Sequence, residues 1–260
     1  MINIAVNGAR GRMGKTVISL IEEEKEKFRL VGAIEHSSHG ELGKRISEVF
    51  PEVILSSDYK EGLKDADIVI DFSTPEALSS LLDYLLENPK RLVSGTTGLN
   101  QEIIDKIKRL GEKRAVLYSP NMSIGVNILF WLVKKLSPIV KDKFDIGISE
   151  IHHRFKRDAP SGTALKLAEI LSKETGEEIV PNRWGIQSKE KKKGIDLNFI
   201  RGGDIVGEHS IYFLGIGESL ILTHRANSRK VFAKGALLAV EFINRKERGV
   251  YSIEDILELR

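Results

Sequence analysis

The first half of the chain alternates short apolar runs with longer amphipathic segments. One of these segments, residues 74–89, has leucines at helical spacing, with Thr74 placed to cap a helix and Pro75 in its first turn. Apolar strands that alternate with such helices predict a parallel sheet covered on both faces. The runs predicted to be strands are INIAV, RLVGAI, VILS, DIVIDFS, RLVSGTT and AVLYSP.

The pattern changes after about residue 123. A helical segment, 124–140, precedes the alternating run 144–153, and a second helix ends at Gly176, a good C-terminal stop. Three strand-like runs separated by glycine turns follow, IDLNFIRGG, EHSIYFLGIG and SLILTHRA, which predict hairpins or a meander in an open, partly antiparallel sheet.

The two patterns predict an α/β protein of two domains. A parallel-sheet domain of residues 1–123, completed by the helical segment within 233–260, is followed by an α+β domain of residues 124–232 with an open mixed sheet. The charge run at 188–194 is predicted to be a solvated loop.

Composition excludes several classes of protein. Lys and Arg number 40 against 37 Asp and Glu, a net charge of +3, which argues against a nucleic-acid or membrane-surface partner. The chain contains no cysteine, so a disulfide framework, a cysteine-ligated metal and a thiol nucleophile are excluded. No signal-type segment or membrane-length apolar run is present, and a cytoplasmic protein is predicted.

The glycine-rich loop after the first strand, VNGARGRMGKT, has two interpretations. Gly14-Lys15-Thr16 resembles the end of a phosphate-binding P-loop, and Asp71 resembles a magnesium-binding aspartate, but Ala9 stands where that motif needs glycine. Alternatively, Gly8, Gly11 and Gly14 form a dinucleotide-binding turn of the Rossmann type, in which the last glycine permits close helix packing.

Glu35 favours the dinucleotide interpretation. It ends the second predicted strand, where a carboxylate can bind the adenosine ribose, and the charged segment 22–28, predicted to prolong the helix, explains its distance from Gly8. A carboxylate there favours NADH, whereas His36, Arg10 and Arg12 offer partners for the extra phosphate of NADPH. We therefore expect both cofactors to be used.

Two further loops follow parallel strands, where ligands bind in open α/β sheets. Gly95, Thr96 and Thr97 follow the fifth strand, and residues 119–122 follow the sixth. Their small and hydroxyl side chains are predicted to approach the nicotinamide end of the cofactor.

The stretch EIHHRFKRDAPSGTA, residues 150–164, is the strongest candidate for chemistry. His152 and His153 point to opposite faces of a strand and would chelate one metal ion poorly, and Ser161 lacks the turn of a hydrolase nucleophile. The remaining interpretation is an anion-binding and proton-transfer site. Basic side chains, with Lys156 as a proton donor and Arg201 as a supplement, would face the free first amides of the following helix.

The same stretch resembles the signature of the 4-hydroxy-tetrahydrodipicolinate (dihydrodipicolinate) reductase family, in its paired histidines, the following lysine and DAPSGTA. The segments GRMG, DFSTPE, GTTG and PNMSIGVN agree with that family, over most of the chain. The resemblance implies reduction of a cyclic dicarboxylate by NADH or NADPH in lysine biosynthesis, without a metal. It also implies a homotetramer assembled through the second domain, whose closure on the first would bring cofactor and substrate together.

The resemblance also implies a role for each residue of the motifs. His152 would donate or accept a proton and Lys156 would donate one, while His153, Gly162 and Thr163 would bind substrate carboxylates. His36 stands where some members have arginine, which leaves the cofactor preference open. The predicted cofactor-binding residues are Gly8, Ala9, Arg10, Gly11, Arg12, Met13, Glu35, His36, Gly95, Thr96, Thr97, Ser119, Pro120, Asn121 and Met122. Two alternatives are another two-domain NAD(P) dehydrogenase of a small carboxylate and a nicotinamide-binding module without turnover.

Overall fold

A computed structural model describes residues 1–183 and 193–259, so most of the predicted loop at 188–194 lies outside the described residues. The chain divides into two compact units. The first unit comprises Met1–Ile124 and Arg229–Arg260, and the second comprises Gly125–Ser228. Among the helices of the described residues, none combines the length and the apolar character needed to cross a membrane.

Strands and helices account for most of both units. The strands are β1 (Ile2–Asn7), β2 (Phe28–Ile34), β3 (Leu55–Ser56), β4 (Ile68–Asp71), β5 (Arg91–Ser94), β6 (Ala115–Tyr118), β7 (Asp145–His152), β8 (Ile179–Pro181), β9 (Ile195–Arg201), β10 (Gly207–Leu214), β11 (Ser219–Ala226) and β12 (Gly249–Tyr251). The helices are α1 (Arg12–Glu23), α2 (Tyr59–Leu63), α3 (Pro75–Glu87), α4 (Gln101–Lys113), α5 (Ile124–Val140), α6 (Gly162–Thr175), α7 (Lys230–Asn244) and α8 (Ile253–Ile256).

The first unit is built on a parallel sheet of seven strands in the order β12-β6-β5-β4-β1-β2-β3. Its strands are apolar because both faces are covered. Helices α1 and α7 pack on one face around Ile4 and Val6, and α3 and α4 pack on the other around Ala5 and Val69. The predicted Rossmann-type parallel sheet is confirmed.

Local sequence signals set the helix ends. The Thr74 side chain accepts a hydrogen bond from the Ala77 amide, and Pro75 is the first residue of α3, both as predicted. Gly176 ends α6 in the left-handed conformation, with φ of 79°, which glycine adopts at no steric cost. The charged segment 22–28 was expected to prolong α1, but α1 ends at Glu23, and backbone turns lead into β2.

The second unit contains a mixed sheet of five strands in the order β11-β10-β7-β9-β8. Helices α5 and α6 cover the face that contains Ile146 and Ile148. The predicted hairpin of β10 and β11 is confirmed, but the meander is wrong for β9, which pairs in parallel with β7. Glycine turns indicate where a chain reverses and not which strand becomes the neighbour, and here β9 and β10 lie on either side of β7.

Candidate active site

The glycine loop of the first unit connects β1 to α1 in a tight turn. Gly8 has φ of 76°, in the left-handed region, and a Cβ there would lie 2.8 Å from the Phe72 carbonyl oxygen. The amides of Gly8 and Ala9 both donate to the Ile34 carbonyl at the end of β2. The loop is therefore held against the carboxyl ends of β1 and β2, where a dinucleotide fold binds pyrophosphate.

Gly14 permits the close packing that its position predicts. A Cβ at Gly14 would lie 2.1 Å from the Gly8 carbonyl oxygen and 2.8 Å from the Ala9 Cα atom, both of which are backbone. Any larger residue would separate α1 from the loop. The first helical residues, Arg12 and Met13, thus stay next to the turn, and the positive end of the α1 dipole faces the place for a phosphate.

Glu35 lies beside this loop, as its predicted role requires. Its carboxylate accepts hydrogen bonds from the amides of Arg10 (2.9 Å) and His36 (3.1 Å). The Arg10 guanidinium pairs with Glu41 at 2.8 Å, so it is engaged by the protein itself. The imidazole of His36 is exposed and lies 2.8 Å from the Ser38 hydroxyl. These residues fit an adenosine ribose, with basic groups nearby for a phosphate.

Asp71, at the end of β4, organises the two remaining loops of this edge of the sheet. This fully buried carboxylate accepts hydrogen bonds from the side chains of Asn7, Ser73, Ser94 and Thr96 at 2.5–2.9 Å. Burial raises the pKa of Asp71, and the four donors oppose that shift. The carboxylate is thus saturated by neighbouring side chains, which removes the resemblance to a magnesium-binding aspartate.

The residues predicted to lie at the nicotinamide end therefore differ in whether their side chains are bonded within the protein or exposed. The Thr96 hydroxyl donates its proton to Asp71, whereas Thr97 is exposed. The Ser119 hydroxyl donates to the Asn121 carbonyl at 2.8 Å, and Met122 is buried in the core. Gly95 packs against Phe72, and Pro120 is exposed.

In the second unit, β7 places Glu150 and His152 on the face covered by helices. The two alternate with half-buried neighbours, because successive side chains of a strand point to opposite faces. Glu150 is fully buried, and its Oε2 atom lies 2.7 Å from Nδ1 of His152, a close polar contact whose direction departs from that of an ideal hydrogen bond. His209 on β10 stacks edge-on against His152, with ring centroids 5.1 Å apart.

The N-terminus of α6 lies against the same carboxylate. The Ser161 amide donates to Glu150 at 2.9 Å, and the Ser161 hydroxyl accepts from the Ala164 amide at 3.2 Å. The Ser161 cap therefore uses one of the first amides of α6, that of Ala164, and the amide of Ser161 itself, just before the helix, is used by Glu150. Gly162 is exposed and Thr163 is half-buried at the same helix end.

Lys156 lies in the loop between β7 and α6. Its ammonium group pairs with Asp158 at 2.8 Å and remains 22% exposed. Burial by itself would raise the pKa of Asp158, but the hydrogen bond and charge of Lys156, a backbone hydrogen bond and the charge of Arg201 together lower it. The loop is fixed by two backbone bonds, from the His153 amide to the Ile205 carbonyl (2.8 Å) and from the Lys156 amide to the His153 carbonyl (3.0 Å).

Arg201 does not supplement the anion site as expected. Its Nη2 atom donates to Glu150 at 2.7 Å and to the Asp158 carbonyl at 2.6 Å. Burial by itself would raise the pKa of Glu150, but hydrogen bonds from His152, Ser161 and Arg201 hold it at about 2. The positive charge of Arg201 is thus directed at a buried protein carboxylate.

The contacts also bear on metal binding. Within the described residues, ligand atoms of Glu150, His152 and His209 lie within 4.8 Å of one another, a cluster that residue spacing did not predict. Arg201 opposes a cation at this place, because its guanidinium already neutralises Glu150 at 2.7 Å. The chemistry of the donor set therefore fits a hydrogen-bonded network better than a metal site.

Comparison with known proteins assigns both halves of the chain. Residues 2–122 match the family model described as dihydrodipicolinate reductase, N-terminus, and residues 125–257 match the model of its C-terminus. The chain belongs to the dihydrodipicolinate reductase family. Membership makes it an oxidoreductase with a nicotinamide-binding N-terminal half, and the predicted resemblance is confirmed.

Relatives cover the whole chain. The 4-hydroxy-tetrahydrodipicolinate reductase of Aquifex aeolicus is 45% identical over 266 residues, 99% of each chain, and that of Syntrophotalea carbinolica is 40% identical over 268 residues, all of each chain. A solved dihydrodipicolinate reductase from Paenisporosarcina sp. TG-14, with dipicolinate bound, has a TM-score of 0.79 and 25% identity over 98% of this chain and 99% of that one.

A more distant likeness bears on the alternative that another dehydrogenase shares this architecture. A probable dehydrogenase from Thermotoga maritima has a TM-score of 0.65 at 12% identity, over 99% of this chain and 93% of that one, so the fold alone is shared. The two dihydrodipicolinate reductase models match residues 2–122 and 125–257 of this chain. These matches favour that family over another two-domain dehydrogenase.

Sequence reasoning gave two residues of this site no role and gave a third a different role. Glu150 and His209 appeared only as letters of quoted segments, and Arg201 was expected to supplement the anion site. A signal for Glu150 was present, since a carboxylate two positions before His152 on a strand must share its face. His209 has no such signal, because its neighbours come from the pairing of β10 with β7.

Proposed function

We propose that the chain reduces 4-hydroxy-tetrahydrodipicolinate to tetrahydrodipicolinate with loss of water, using NADH or NADPH, in the diaminopimelate route to lysine. Family membership supports the reaction. The observation on which the residue roles rest is that contacts within the second unit link His152, Lys156 and the N-terminus of α6. A cytoplasmic location is part of the proposal, since the pools of both cofactors are there.

The proposal assigns cofactor binding and substrate binding to different domains of the chain. Cofactor binding belongs to the domain predicted at 1–123 with 233–260, and substrate binding belongs to 124–232. The turn at Gly8, the close approach at Gly14 and the Glu35 carboxylate support the first assignment. Gly8 to Met13 would hold the pyrophosphate, and Glu35 the ribose. The loops at 95–97 and 119–122 would face the nicotinamide mainly through backbone groups.

The substrate site is proposed to bind two carboxylates. His153, Gly162 and Thr163 would hold them, because the helix end supplies positive dipole charge and the imidazole supplies a donor. Dipicolinate, the compound bound in the Paenisporosarcina relative, is a cyclic dicarboxylate, which supports this substrate class. The partly exposed Lys156 ammonium is within the same loop and adds positive charge.

The chain's own residues would manage protons in the reaction. The nicotinamide, when bound, would supply a hydride to the conjugated ring that remains after the substrate has lost water, and negative charge would then develop on that ring. Lys156 would stabilise this charge and donate a proton, because an ammonium group is both a cation and an acid. His152 would donate or accept a proton, as the loss of water requires, through the ring nitrogen that does not face Glu150.

A coupled assay tests the proposed function. The wild-type chain is expected to oxidise both NADH and NADPH when enzymatically generated 4-hydroxy-tetrahydrodipicolinate is supplied, as followed by absorbance at about 340 nm. Aspartate semialdehyde and a simple 2-oxo acid serve as control substrates, with which no oxidation above background is expected. Cofactor binding without turnover on any of these compounds would leave only the binding-module alternative.

The second unit is also proposed to form a homotetramer through its sheet. Helices α5 and α6 cover one face, whereas the other presents Ile221 and Ile200, about half exposed at 50% and 54%. Strand pairing sets Ile221 beside Tyr212, which extends the apolar area. Exposed apolar side chains on one face of a sheet are typical of a subunit interface.

Light scattering is expected to give a native mass about four times the chain mass of 29.1 kDa. Ile221→Asp should shift the protein to smaller species, because a charge would be buried at the interface. Ile139→Asp on α5, where the side chain is 63% exposed, is the matched control and should leave the mass unchanged. A monomeric wild type at micromolar concentration would contradict this assembly.

A further inference from the structure

Glu150 is the centre of a buried polar network in the second unit. Its carboxylate is fully buried and has three partners: Nδ1 of His152 at 2.7 Å, the Ser161 amide at 2.9 Å and the Arg201 guanidinium at 2.7 Å. An unpartnered carboxylate at such a position would cost several kcal/mol, so the partners explain how Glu150 is tolerated. They do not explain why a charged residue lies on the strand face that also carries Ile146 and Ile148 of the core.

We propose that Glu150 is a positioning residue for catalysis, which holds His152 in one tautomer and orientation and anchors the two segments that contain the other proposed site residues. The inference rests on the proposed role of His152 and goes beyond the residues assigned to the reaction. Each of its three contacts has a separate consequence for the site.

The contact with His152 selects a tautomer. With its pKa held at about 2, Glu150 is ionised at neutral pH and can only accept hydrogen bonds. Neutral His152 must then have its proton on Nδ1, which leaves Nε2 as the nitrogen for proton transfer. Gly207 leaves room at that nitrogen, since a Cβ on Gly207 would lie 2.9 Å from Nε2.

The contact with Ser161 fixes the helix end proposed to bind substrate. The Ser161 amide donates to Glu150, and the next two residues are Gly162 and Thr163. The Ser161 hydroxyl accepts from the Ala164 amide and lies at hydrogen-bond distance, 3.1 Å, from Nε2 of His209. Burial, then the nearby His152, lowers the pKa of His209 to about 3, which keeps this second ring neutral.

The contact with Arg201 extends the network to Lys156. One guanidinium nitrogen of Arg201 bonds both Glu150 (2.7 Å) and the Asp158 carbonyl (2.6 Å), and the Asp158 side chain pairs with Lys156 at 2.8 Å. A single carboxylate is therefore connected to the proton-transfer histidine, to the anion-binding helix end and to the loop of the proton-donating lysine. Residues that orient catalytic groups through such contacts commonly affect activity by 10- to 100-fold.

Glu150→Gln tests the proposal with little change of shape. The amide oxygen can still accept from Ser161, but an amide NH₂ facing His152 would reverse the tautomer preference. We expect kcat to fall about tenfold or more, with KM for the substrate changing less than about threefold. Glu150→Asp retains the charge and should recover part of the lost kcat. Glu169→Gln on α6, an exposed carboxylate that pairs with Lys166, is the matched control with wild-type kinetics.

The tautomer itself provides a measurement that does not depend on whether a variant folds. Imidazole ¹⁵N chemical shifts of the wild-type protein, assigned by the signals lost in His152→Gln, should show His152 protonated on Nδ1 at neutral pH. Protonation on Nε2 instead, or a Glu150→Gln variant with wild-type kcat, would overturn the proposal. Loss of wild-type activity on dialysis against EDTA, restored by Zn²⁺, would also overturn it in favour of a metal site.

Different results would contradict the proposed reaction and the positioning role of Glu150. A wild-type chain that shows the predicted His152 tautomer but no turnover of 4-hydroxy-tetrahydrodipicolinate would contradict the reaction and leave the network intact as structure. Normal turnover with an unchanged kcat in Glu150→Gln would contradict the positioning role alone.

Discussion

Replacement of Lys156 by alanine is expected to lower kcat about a hundredfold, the lower end of the usual contribution of a general acid. The ammonium group of Lys156 is partly exposed, on the loop that precedes α6, and is the proposed proton donor to the reduced ring. Alanine removes both the proton and the positive charge that stabilises the developing anion. Steady-state kinetics with saturating cofactor measure the effect.

A second substitution at Lys156 distinguishes the effect of losing the donated proton from the effect of losing the positive charge, and a substitution at Lys166 is the control. Lys156→Arg keeps a cation that does not release its proton near neutral pH, so kcat should remain low while KM recovers towards the wild-type value. Lys166→Ala on α6 removes an exposed lysine that is paired with Glu169, and it should have wild-type kinetics. An unchanged kcat in Lys156→Ala would remove Lys156 from the mechanism, provided that circular dichroism shows a folded protein.

Replacement of Asp71 by alanine is expected to lower the free energy of unfolding by more than about 3 kcal/mol. Four side chains donate to this carboxylate, those of the buried Asn7, Ser94 and Thr96 and that of the half-buried Ser73, and alanine leaves them without this acceptor. Each buried donor without a partner costs about 1–3 kcal/mol before relaxation. Urea denaturation followed by circular dichroism measures the loss.

The hydrogen bonds around Asp71 also predict that different substitutions lower the free energy of unfolding by different amounts. Asp71→Asn keeps the shape and one acceptor oxygen, so its loss of stability should be smaller than that of the alanine variant. Asp65→Ala, which removes an exposed carboxylate from the same unit, is the control and should fall within about 0.5 kcal/mol of wild type. If Asp71→Ala were as stable as the control, the four hydrogen bonds would contribute nothing to the fold.

The two residues show what kind of site can be predicted from sequence. Lys156 follows a pair of histidines in a stretch of unusual composition, and both its loop location and its family role could be inferred from neighbouring letters. Asp71 was interpreted as a decoy for a magnesium ligand, because the sequence does not reveal that its four partners come from β1, β5 and the loops that follow β4 and β5.

Short-range features were determined by the sequence itself. Apolar periodicity predicted the strands of the parallel sheet, Thr74 and Gly176 predicted helix ends, and the glycines after β1 predicted a turn with a close helix. Each depends on contacts between residues a few positions apart, where hydrogen-bond geometry and side-chain direction follow directly from the backbone.

Long-range features were decided only by the tertiary structure. The placement of β9 beside β7 directs Arg201 to Glu150, and the placement of β10 on the other side of β7 brings His209 to His152. The amide of Ser161 and the hydroxyl of Thr96 were likewise committed to buried carboxylates rather than to a ligand. Strand neighbours and register depend on the packing of the whole sheet, so no local pattern contains them, and the partners of a buried charge are known only when that packing is known.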